Sequence, residues 1–358
     1  METDMSTFII AEAGVNHNGS LELAKQLIDA AADAGADAVK FQTFRAEQLV
    51  ALHAPKAEYQ TRTTDAKESQ FEMIRKLELT DADHEVLIAH AEARRIEFLS
   101  TPFDTASLHL LTNRFGLTTI KVSSGDITNA PLLLDIARAA QRVILSTGMS
   151  TLAEIEAALG VLAFGFIEPN ATPARNAFEE AYSSDAGQSA LRDRVDLLHC
   201  TTEYPAPFSE VNLRAMDTMS TAFGLPVGYS DHTQGIHISV AAVARGASVI
   251  EKHFTLDRSL PGPDHKASLE PNELNAMVSA IRDVEQAFGD GIKRPTVTEA
   301  KNRSVARKSL VIERDLVSGE KLVLSCKRPG TGLSPFEYWR MADRVAMRNY
   351  AADEVLDE

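Results

Sequence analysis

The sequence has little cysteine and no long apolar run. Its 358 residues include only two cysteines, Cys200 and Cys326, which are too few for a disulfide framework and suit a reducing compartment. No segment approaches the roughly 20 consecutive apolar residues that a membrane-spanning helix needs. Residues 1–7 carry no basic side chain, and the apolar run at 8–11 is too short for a secretory signal. We therefore expect a cytoplasmic protein.

Positive charge is also scarce. Lys and Arg total 36 against 51 for Asp and Glu, which gives a formal net charge of −15. This acidic excess argues against nucleic acid or an anionic membrane surface as a partner. A small anionic substrate remains compatible with it, provided that lysines are concentrated in one pocket.

Segments with the apolar pattern of strands alternate along the chain with segments of helical spacing. The predicted strands lie at residues 8–12, 37–42, 96–100, 118–123, 142–146, 195–200, 225–229 and 247–253. Strands that are each followed by a helix predict an α/β fold of the (β/α)₈ type, the TIM barrel. A doubly wound open sheet is less favoured, because no glycine-rich dinucleotide loop follows the first strand.

The barrel domain is predicted to span residues 1–290, with an insertion at 166–194. Residues 291–300 are expected to form a linker. Short strand-like runs that are split by Gly and Pro then predict a small β-rich domain over 301–358, without a long helix. Because this domain offers little core of its own, we expect it to dock on another surface.

Every predicted strand ends in polar residues, and in a barrel the carboxyl ends of the strands form the catalytic face. The Ser-Ser-Gly and Ser-Thr-Gly turns at two of these ends offer backbone N–H groups to an anion. Side chains at the same ends are donors suited to a phosphate or a carboxylate; they are Lys40, Lys121, Ser124 and Ser146.

His232 and His253 follow two neighbouring predicted strands. As neutral imidazoles they are suited to bind a metal ion and to leave positions open for water and substrate. His232 alone is also compatible with a structural loop residue. Glu12 suits proton transfer or hydroxyl binding, or else it is an ion-pair partner of Lys40. Glu251 is either an acid or base or a group that orients a ligand.

Most other histidines and one cysteine are predicted to be structural. Cys200 has no basic neighbour in the sequence, so a core residue is favoured over a nucleophile. Four of the histidines fall on predicted helices, one lies inside the sixth strand and one lies in a loop: His84, His90, His109, His237, His199 and His53.

Nine segments of the chain together resemble the sialic acid synthase family. They are AEAGVNHNG (11–19), VKFQTF (39–44), STPFD (100–104), KVSSGDI (121–127), ILSTGMS (144–150), HCTTEYPAP (199–207), YSDHT (229–233), EKHFTLD (251–257) and GPDHKAS (262–268). The stretch CKRPGTGLSP (326–335) resembles the antifreeze-like (SAF) domain of the same family. The resemblance covers nearly the whole chain in order.

The resemblance implies a condensation of phosphoenolpyruvate with N-acetylmannosamine and water, which gives N-acetylneuraminate and releases phosphate by C–O cleavage. It implies Mn²⁺ or Mg²⁺ bound by His232 and His253. The catalytic residues that it implies are Glu12, Lys121, Glu251 and these two histidines. The phosphoenolpyruvate site would comprise Lys40, Thr101, Lys121, Ser124, Ser146 and Ser230, and the amino-sugar site Glu12, Gln42, Tyr204 and Asp264.

Three further residues follow from the same resemblance. Arg328 matches an arginine that reaches from the SAF domain into the barrel of a partner subunit, which implies a domain-swapped homodimer. Thr202 and Asp126 stand at substrate-bordering positions where some members carry Asn and Glu. The alternative sugar is 2,4-diacetamido-2,4,6-trideoxymannose, the precursor of legionaminate, because the YPAP turn and the insertion resemble bacterial members.

Other functions are less favoured. A condensation with a phosphorylated sugar would need a further basic cluster, and Arg45, Arg62 and Arg75 form no tight group near the second strand. A metal-dependent barrel hydrolase would want more ligands, often including a His-x-His motif at the first strand, which is absent. A binding protein that kept only the barrel would not need both lysines and both histidines.

Overall fold

The computed structural model describes residues 6–52, 54–56 and 68–357. The chain divides into two compact units, Met1–Phe288 and Gly289–Glu358, and each is described by itself. In the described part of the chain, none of the helices has both the length and the apolar character of a membrane span.

Eight parallel strands form the centre of the first unit. They are β1 (Phe8–Gly14), β2 (Ala38–Thr43), β3 (Glu97–Pro102), β4 (Thr119–Val122), β5 (Arg142–Ser146), β6 (Val195–Cys200), β7 (Val227–Asp231) and β8 (Val249–His253). They pair in the order β3-β2-β1-β8-β7-β6-β5-β4, and β3 also lies beside β4, so the ring is nearly closed. This arrangement confirms the predicted (β/α)₈ barrel.

Helices lie between the strands in the chain and pack against the ring through a large apolar core. Among the described residues, the α-helices of this unit are Leu21–Asp33, Ala46–Leu49, Gln70–Arg75, Asp81–Arg94, Thr105–His109, Ala130–Ala139, Leu152–Ile167, Arg175–Ser183, Asp185–Arg194, Arg214–Phe223, His237–Ala244 and Pro271–Ala287. A π-helical turn spans Leu110–Arg114, and 3-10 turns span Ser124–Asp126, Phe208–Glu210 and His265–Ala267. The predicted insertion thus folds mainly as helix.

An apolar layer fills the ring beneath its carboxyl face. Its side chains are Ile10, Ala38, Leu99, Ile144, Leu198 and Val249. Because side chains alternate between the two faces of a strand, the residue two positions further along points the same way. The next inward layer therefore consists of Glu12, Lys40, Thr101, Ser146, Cys200 and Glu251. The strand period alone stacks polar side chains on the apolar floor.

Strand β7 begins and ends two residues later than the predicted 225–229. The sequence pattern is weak here because Pro226 and Gly228 are poor strand residues. In the structure Gly228 allows a close approach of strands, since a Cβ there would lie 2.3 Å from the carbonyl oxygen of Val249 and 2.7 Å from Leu198. The glycine is therefore what lets β7 fit between its neighbours.

The second unit is small but has its own core. Strands β9 (Ser309–Ile312) and β10 (Leu324–Lys327) pair antiparallel, beside helices Val297–Ala306 and Tyr338–Ala342 and a 3-10 turn at Pro335–Glu337. The expectation of little core is wrong, because eight apolar side chains are buried together: Leu310, Ile312, Leu316, Leu322, Leu324, Met341, Ala346 and Leu356. The likeness to an antifreeze-like domain stays a prediction.

The predicted linker 291–300 differs from the structure, which has a helix from Val297. Thr296 and Glu299 form a capping box: the Thr296 hydroxyl accepts from the backbone N–H of Glu299, whose carboxylate accepts from that of Thr296. The Thr-x-x-Glu pattern was therefore visible in the sequence as a helix start.

We expect Gly228→Ala to lower the free energy of unfolding by about 1–3 kcal/mol, because its Cβ overlaps a backbone carbonyl of β8. Urea unfolding followed by circular dichroism measures this. Gly125→Ala is the control, since its Cβ would come no closer than 3.8 Å to Ser123 Oγ, and it should unfold like the wild type. An unchanged midpoint for Gly228→Ala would contradict the packing argument.

Candidate active site

A cavity of about 530 Å³ lies at the carboxyl ends of the barrel strands. It brings together most of the side chains that the sequence singled out. The predicted site residues that line it are Glu12, Lys40, Gln42, Thr101, Lys121, Ser124, Ser146, Thr202, Tyr204, Ser230, His232, Glu251, His253 and Asp264.

Two predicted site residues are placed elsewhere. Asp126 closes the 3-10 turn after β4, where its carboxylate accepts a hydrogen bond of 3.2 Å from the side chain of Asn129. Asp126 is not among the residues that line the cavity, although the neighbouring Ser124 is, and its place beside the substrates stays a prediction. Arg328 belongs to the second unit, where its Nε donates to the carbonyl of Ala306 at 2.9 Å. Its role across a dimer stays a prediction.

Two carboxylates and two lysines alternate at the floor of the cavity. Lys40 Nζ lies 2.6 Å from Glu12 Oε2 and 3.5 Å from Glu251 Oε2. Lys121 Nζ lies 3.6 Å from Glu251 Oε1. All four side chains are nearly inaccessible to solvent. Each charge is therefore balanced mainly by the others and not by water.

Hydroxyl groups complete the surroundings of the two lysines. Lys40 donates to Thr101 Oγ1 at 3.1 Å, and Lys121 donates to Ser146 Oγ at 2.7 Å. Ser124 Oγ accepts from the backbone N–H of Gly148 at 2.9 Å. Ammonium, hydroxyl and backbone donors thus converge, as the binding of a phosphate or a carboxylate requires.

The surroundings shift the pKa values of Glu12 and Glu251 in opposite directions. Burial raises the pKa of Glu12, and the nearby Lys40 offsets this only in part. Burial also opposes the charge of Glu251, but Lys121 and Lys40 outweigh it and hold the pKa of Glu251 below its usual value. Paired groups that are pushed apart in this way commonly divide acid and base roles. Glu251 is the member that stays ionised, and Glu12 is the member suited to exchange a proton.

The two histidines present neutral imidazoles to the cavity. Burial lowers the pKa of both rings, to about 4 for His232 and well below the usual value for His253. His232 Nδ1 donates to the carbonyl oxygen of Thr201 at 2.6 Å, which leaves a lone pair on its Nε2. The buried Nδ1 of His253 makes no hydrogen bond and lies 3.9 Å from a carboxylate oxygen of Asp264.

These observations fit a divalent metal ion at the two histidines. Neutral imidazoles are suitable ligands, His232 Nε2 has only a long contact of 3.3 Å with Ser230 Oγ, and the ring centroids are 5.7 Å apart. Within residues 6–52, 54–56 and 68–357, no group of three or more His, Cys, Asp or Glu side chains is arranged to hold a metal. The protein would therefore supply two ligands, and substrate or water the others.

Aromatic and amide groups border the histidines. The ring of Tyr204 lies 4.2 Å from that of His232, centroid to centroid, and meets His253 edge-on at 5.5 Å. Gln42 Nε2 donates to Glu12 Oε1 at 3.3 Å. Burial raises the pKa of Asp264 to about 6. These groups surround the site with hydrogen-bonding atoms suited to a polyhydroxylated ligand.

One wall of the cavity is apolar, and the sequence pattern did not reveal it. Its side chains are Val15, Phe44, Met73, Ile74, Leu77 and Phe103. They come from loops and short helices that follow β1, β2 and β3, and all except Met73 belong to one apolar cluster separate from the main core. Part of this wall could have been predicted from the sequence, because the apolar residues Val15, Phe44 and Phe103 directly follow the ends of β1, β2 and β3.

The residues predicted to be structural are placed as follows. Cys200 is buried and lines the cavity, with its Sγ 3.2 Å from Ser124 Oγ, and burial raises the pKa of its thiol, which disfavours a nucleophile. The four predicted helical histidines lie on helices, and His199 lies in β6 with Nε2 bonded to the carbonyl of Val211. His53 and Arg62 lie outside the described residues. Arg45 pairs with Asp81 and does not line the cavity.

The sequence matches the NeuB family over residues 27–293. The N,N'-diacetyllegionaminic acid synthase of Campylobacter jejuni is 51% identical over 98% of this chain and 99% of its own length. The enzyme of the same name from Legionella pneumophila is 44% identical over 99% of this chain and 94% of its own. The chain therefore belongs to the NeuB family, and it is a transferase-type synthase.

A solved structure supports the same relationship. The N-acetylneuraminic acid (sialic acid) synthetase of Leptospira borgpetersenii, in complex with citrate, is 34% identical and has a TM-score of 0.66. The match covers 83% of this chain and 90% of that chain. The family resemblance read from the motifs is thus confirmed.

We expect His253→Ala to weaken Mn²⁺ binding by more than about a hundredfold, because it removes one of two proposed ligands. The electron paramagnetic resonance signal of free Mn²⁺, titrated with protein, measures this. His90→Ala is the matched control, since His90 pairs with Asp29 on a helix outside the cavity. Equal Mn²⁺ affinity in the wild type and His253→Ala would rule out the metal role.

Proposed function

We propose that this enzyme condenses phosphoenolpyruvate with an open-chain 2,4-diacetamido-2,4,6-trideoxymannose and releases phosphate, which forms N,N'-diacetyllegionaminate. The observation that carries the proposal is a single cavity that joins a buried lysine pair, a histidine pair and an apolar wall. The names of the relatives at 51% and 44% identity support it.

The lysine end of the cavity suits phosphoenolpyruvate. This substrate carries a carboxylate and a phosphate, and Lys40 and Lys121 are charged donors that lie on either side of Glu251. Hydroxyl groups of Thr101 and Ser146 are already oriented towards the two ammonium groups. Preorganised donors in a water-poor site stabilise the charge that develops on the reacting groups.

The histidine end suits the aldehyde of the sugar. His232 and His253 would hold Mn²⁺ or Mg²⁺, and such an ion supplies Lewis-acid polarisation of a carbonyl oxygen. Glu12 lies beside this region, because it pairs with His253 in the register of β1 and β8. A protonated Glu12 is placed to donate a proton to the aldehyde oxygen as C3 of phosphoenolpyruvate forms the new bond.

The second half of the reaction places positive charge on C2 of the former phosphoenolpyruvate. The ionised Glu251, held between Lys40 and Lys121, is suited to stabilise that oxocarbenium character. Water then adds at C2, and the tetrahedral adduct collapses to the ketone with cleavage of the C–O bond, as the proton of the C2 hydroxyl group leaves with the phosphate. The proton that water releases returns to the carboxylate of Glu12, which restores the starting state.

The apolar wall supports the diacetamido sugar over N-acetylmannosamine. The diacetamido sugar has a second acetyl methyl group and a methyl group at C6, where N-acetylmannosamine has hydroxyl groups. Met73 and Leu77 are almost fully buried in the wall and offer these methyl groups an apolar surface. N-acetylmannosamine is the second candidate, supported by the name of the Leptospira relative.

Three further features belong to the proposal. The cytoplasm is the proposed location, since phosphoenolpyruvate is a central metabolite of that compartment. A domain-swapped homodimer is proposed, in which Arg328 of one protomer would complete the cavity of its partner. A phosphorylated sugar is disfavoured, because Arg45 and Arg75 do not line the cavity. A metal-dependent hydrolase is disfavoured, because no group of three or more metal-ligating side chains is present among the described residues.

We expect kcat/KM for the diacetamido sugar to exceed that for N-acetylmannosamine by about a hundredfold, because apolar contacts to added methyl groups are worth roughly that factor. Phosphate release with phosphoenolpyruvate and Mn²⁺ measures both rates. Met73→Gln should reduce this preference at nearly constant side-chain volume. Met149→Gln is the matched control, since Met149 also lines the cavity but is 71% exposed and lies outside the apolar wall. An equal or higher rate with N-acetylmannosamine would reject the proposed sugar.

A further inference from the structure

A fully buried ion pair lies directly behind the two histidines. Asp231 ends β7, Lys252 lies in β8, and the two are paired in the register of these strands. Lys252 Nζ is 3.1 Å from Asp231 Oδ2, and both side chains are 0% exposed. Neither Asp231 nor Lys252 is among the described residues that line the cavity. The pair therefore lies outside the cavity wall.

Strand alternation fixes the relation of this pair to the histidines. His232 directly follows Asp231, and His253 directly follows Lys252. Successive side chains point to opposite faces of a strand, so the imidazoles face the cavity while the ion pair faces the surrounding helices. Ser239, on the helix after β7, donates to Asp231 Oδ2 at 2.6 Å, which agrees with this orientation.

Asp231 also fixes the backbone on both sides of His232. Its Oδ1 accepts from the backbone N–H and from the hydroxyl of Thr233, each at 2.8 Å. The first of these bonds closes an Asx turn over His232. The carboxylate is thus fully satisfied by Thr233, Ser239 and Lys252.

Lys252 links this turn to the other histidine. Its ammonium binds Asp231 and also donates to the backbone carbonyl of Thr233. One side chain therefore holds both chain neighbours of His232, while its own backbone leads directly into His253. This connection therefore joins the turn that carries His232 to the strand that leads into His253.

Stability alone does not account for the pair. A buried ion pair loses hydration on both charges, and its replacement by apolar residues is often neutral or stabilising. The geometric restraint on neighbouring residues is a property that an apolar pair of similar volume would lack. The strands would remain paired without it, but the turn that carries His232 would not be tied to β8.

We propose that the Asp231–Lys252 pair is a positioning element that sets the spacing of His232 and His253 and thereby the affinity for a divalent cation. The proposal rests on the proposed metal role of the two histidines. It goes beyond that role, because it assigns a function to residues that touch neither the cation nor the substrates.

The experiment is a titration of Mn²⁺ alone with the full-length double variant Asp231→Asn/Lys252→Met, followed by the resonance signal of free Mn²⁺. The double variant avoids leaving one buried charge without its partner. We expect at least about tenfold weaker binding than in the wild type, as for loss of groups that orient metal ligands. Excess Mn²⁺ should then restore most of kcat, which a general folding defect would not allow.

The control is Asp196→Asn/Arg142→Met, which likewise replaces an acid by its amide and a base by methionine, in a less buried ion pair of the barrel. Arg142 of β5 and Asp196 of β6 lie 2.8 Å apart, and neither lines the cavity. We expect wild-type Mn²⁺ affinity in this control. Circular dichroism spectra of both double variants establish that each is folded.

Ser239→Ala is a second variant that keeps both charges. It removes only the hydrogen bond to Asp231 Oδ2, and we expect about threefold weaker Mn²⁺ binding from the loss of one such bond. If the double variant does not fold, this variant decides the matter. Wild-type affinity in the folded double variant, or otherwise in Ser239→Ala, overturns the positioning role.

Parallel titration of His253→Ala separates this inference from the proposed function. Loss of binding in His253→Ala together with wild-type affinity in the double variant would overturn the positioning role alone. Binding that survives in His253→Ala, or no binding in the wild type, would overturn the metal role and the positioning role together.

Discussion

Lys40 lies between two buried carboxylates, and the chemistry of the cavity depends on this arrangement. Charges removed from water are stable only when opposite charges and hydrogen bonds replace the solvent. Glu12, Lys40, Glu251 and Lys121 meet this condition by alternating along the floor of the barrel. The strand period places them there, because three of the four stand two residues after the apolar layer that closes the floor.

The same arrangement explains how an acidic chain can attract an anionic substrate. The protein carries a net charge of −15, yet two lysines face one carboxylate that stays ionised. Burial raises the pKa of the other carboxylate, Glu12, to about 7, so near neutral pH only part of the protein carries this group ionised. With both lysines charged, the floor then has an excess of positive charge. A local field of this kind outweighs distant surface charges because the low dielectric strengthens it.

The sequence predicted the parts of the site that follow from strand periodicity. Lys121, Ser146 and Glu251 were located because inward-facing polar residues at strand ends interrupt an apolar pattern. The position of Asp126 could not be derived from periodicity, because it lies in a tight 3-10 turn after β4. The apolar wall was missed because Met73 reaches the cavity from a short helix between two strands, and no local pattern relates it to the barrel.

Other features needed the three-dimensional arrangement. Asp231 and Lys252 are polar residues within apolar strands, and only their 3.1 Å contact shows that they pair behind the histidines. Gly228 is a poor strand residue by its propensity, and only the structure shows that its backbone packs so closely against Val249 that no larger side chain fits. In contrast, the Thr-x-x-Glu pattern of the capping box at Thr296 is visible in the sequence. It predicts a helix that begins inside the segment 291–300, which was assigned to a linker.

The central claim is that Glu12 exchanges a proton in response to an anion at the lysine pair. The most direct test is calorimetric titration of phosphoenolpyruvate at neutral pH in two buffers of different ionisation enthalpy, which reports protons taken up on binding. The account predicts greater proton uptake by the wild type than by Glu12→Gln, because a nearby anion raises the pKa of Glu12 further. Protonation of the ligand itself contributes equally to both proteins. Equal proton uptake by the two would contradict the account.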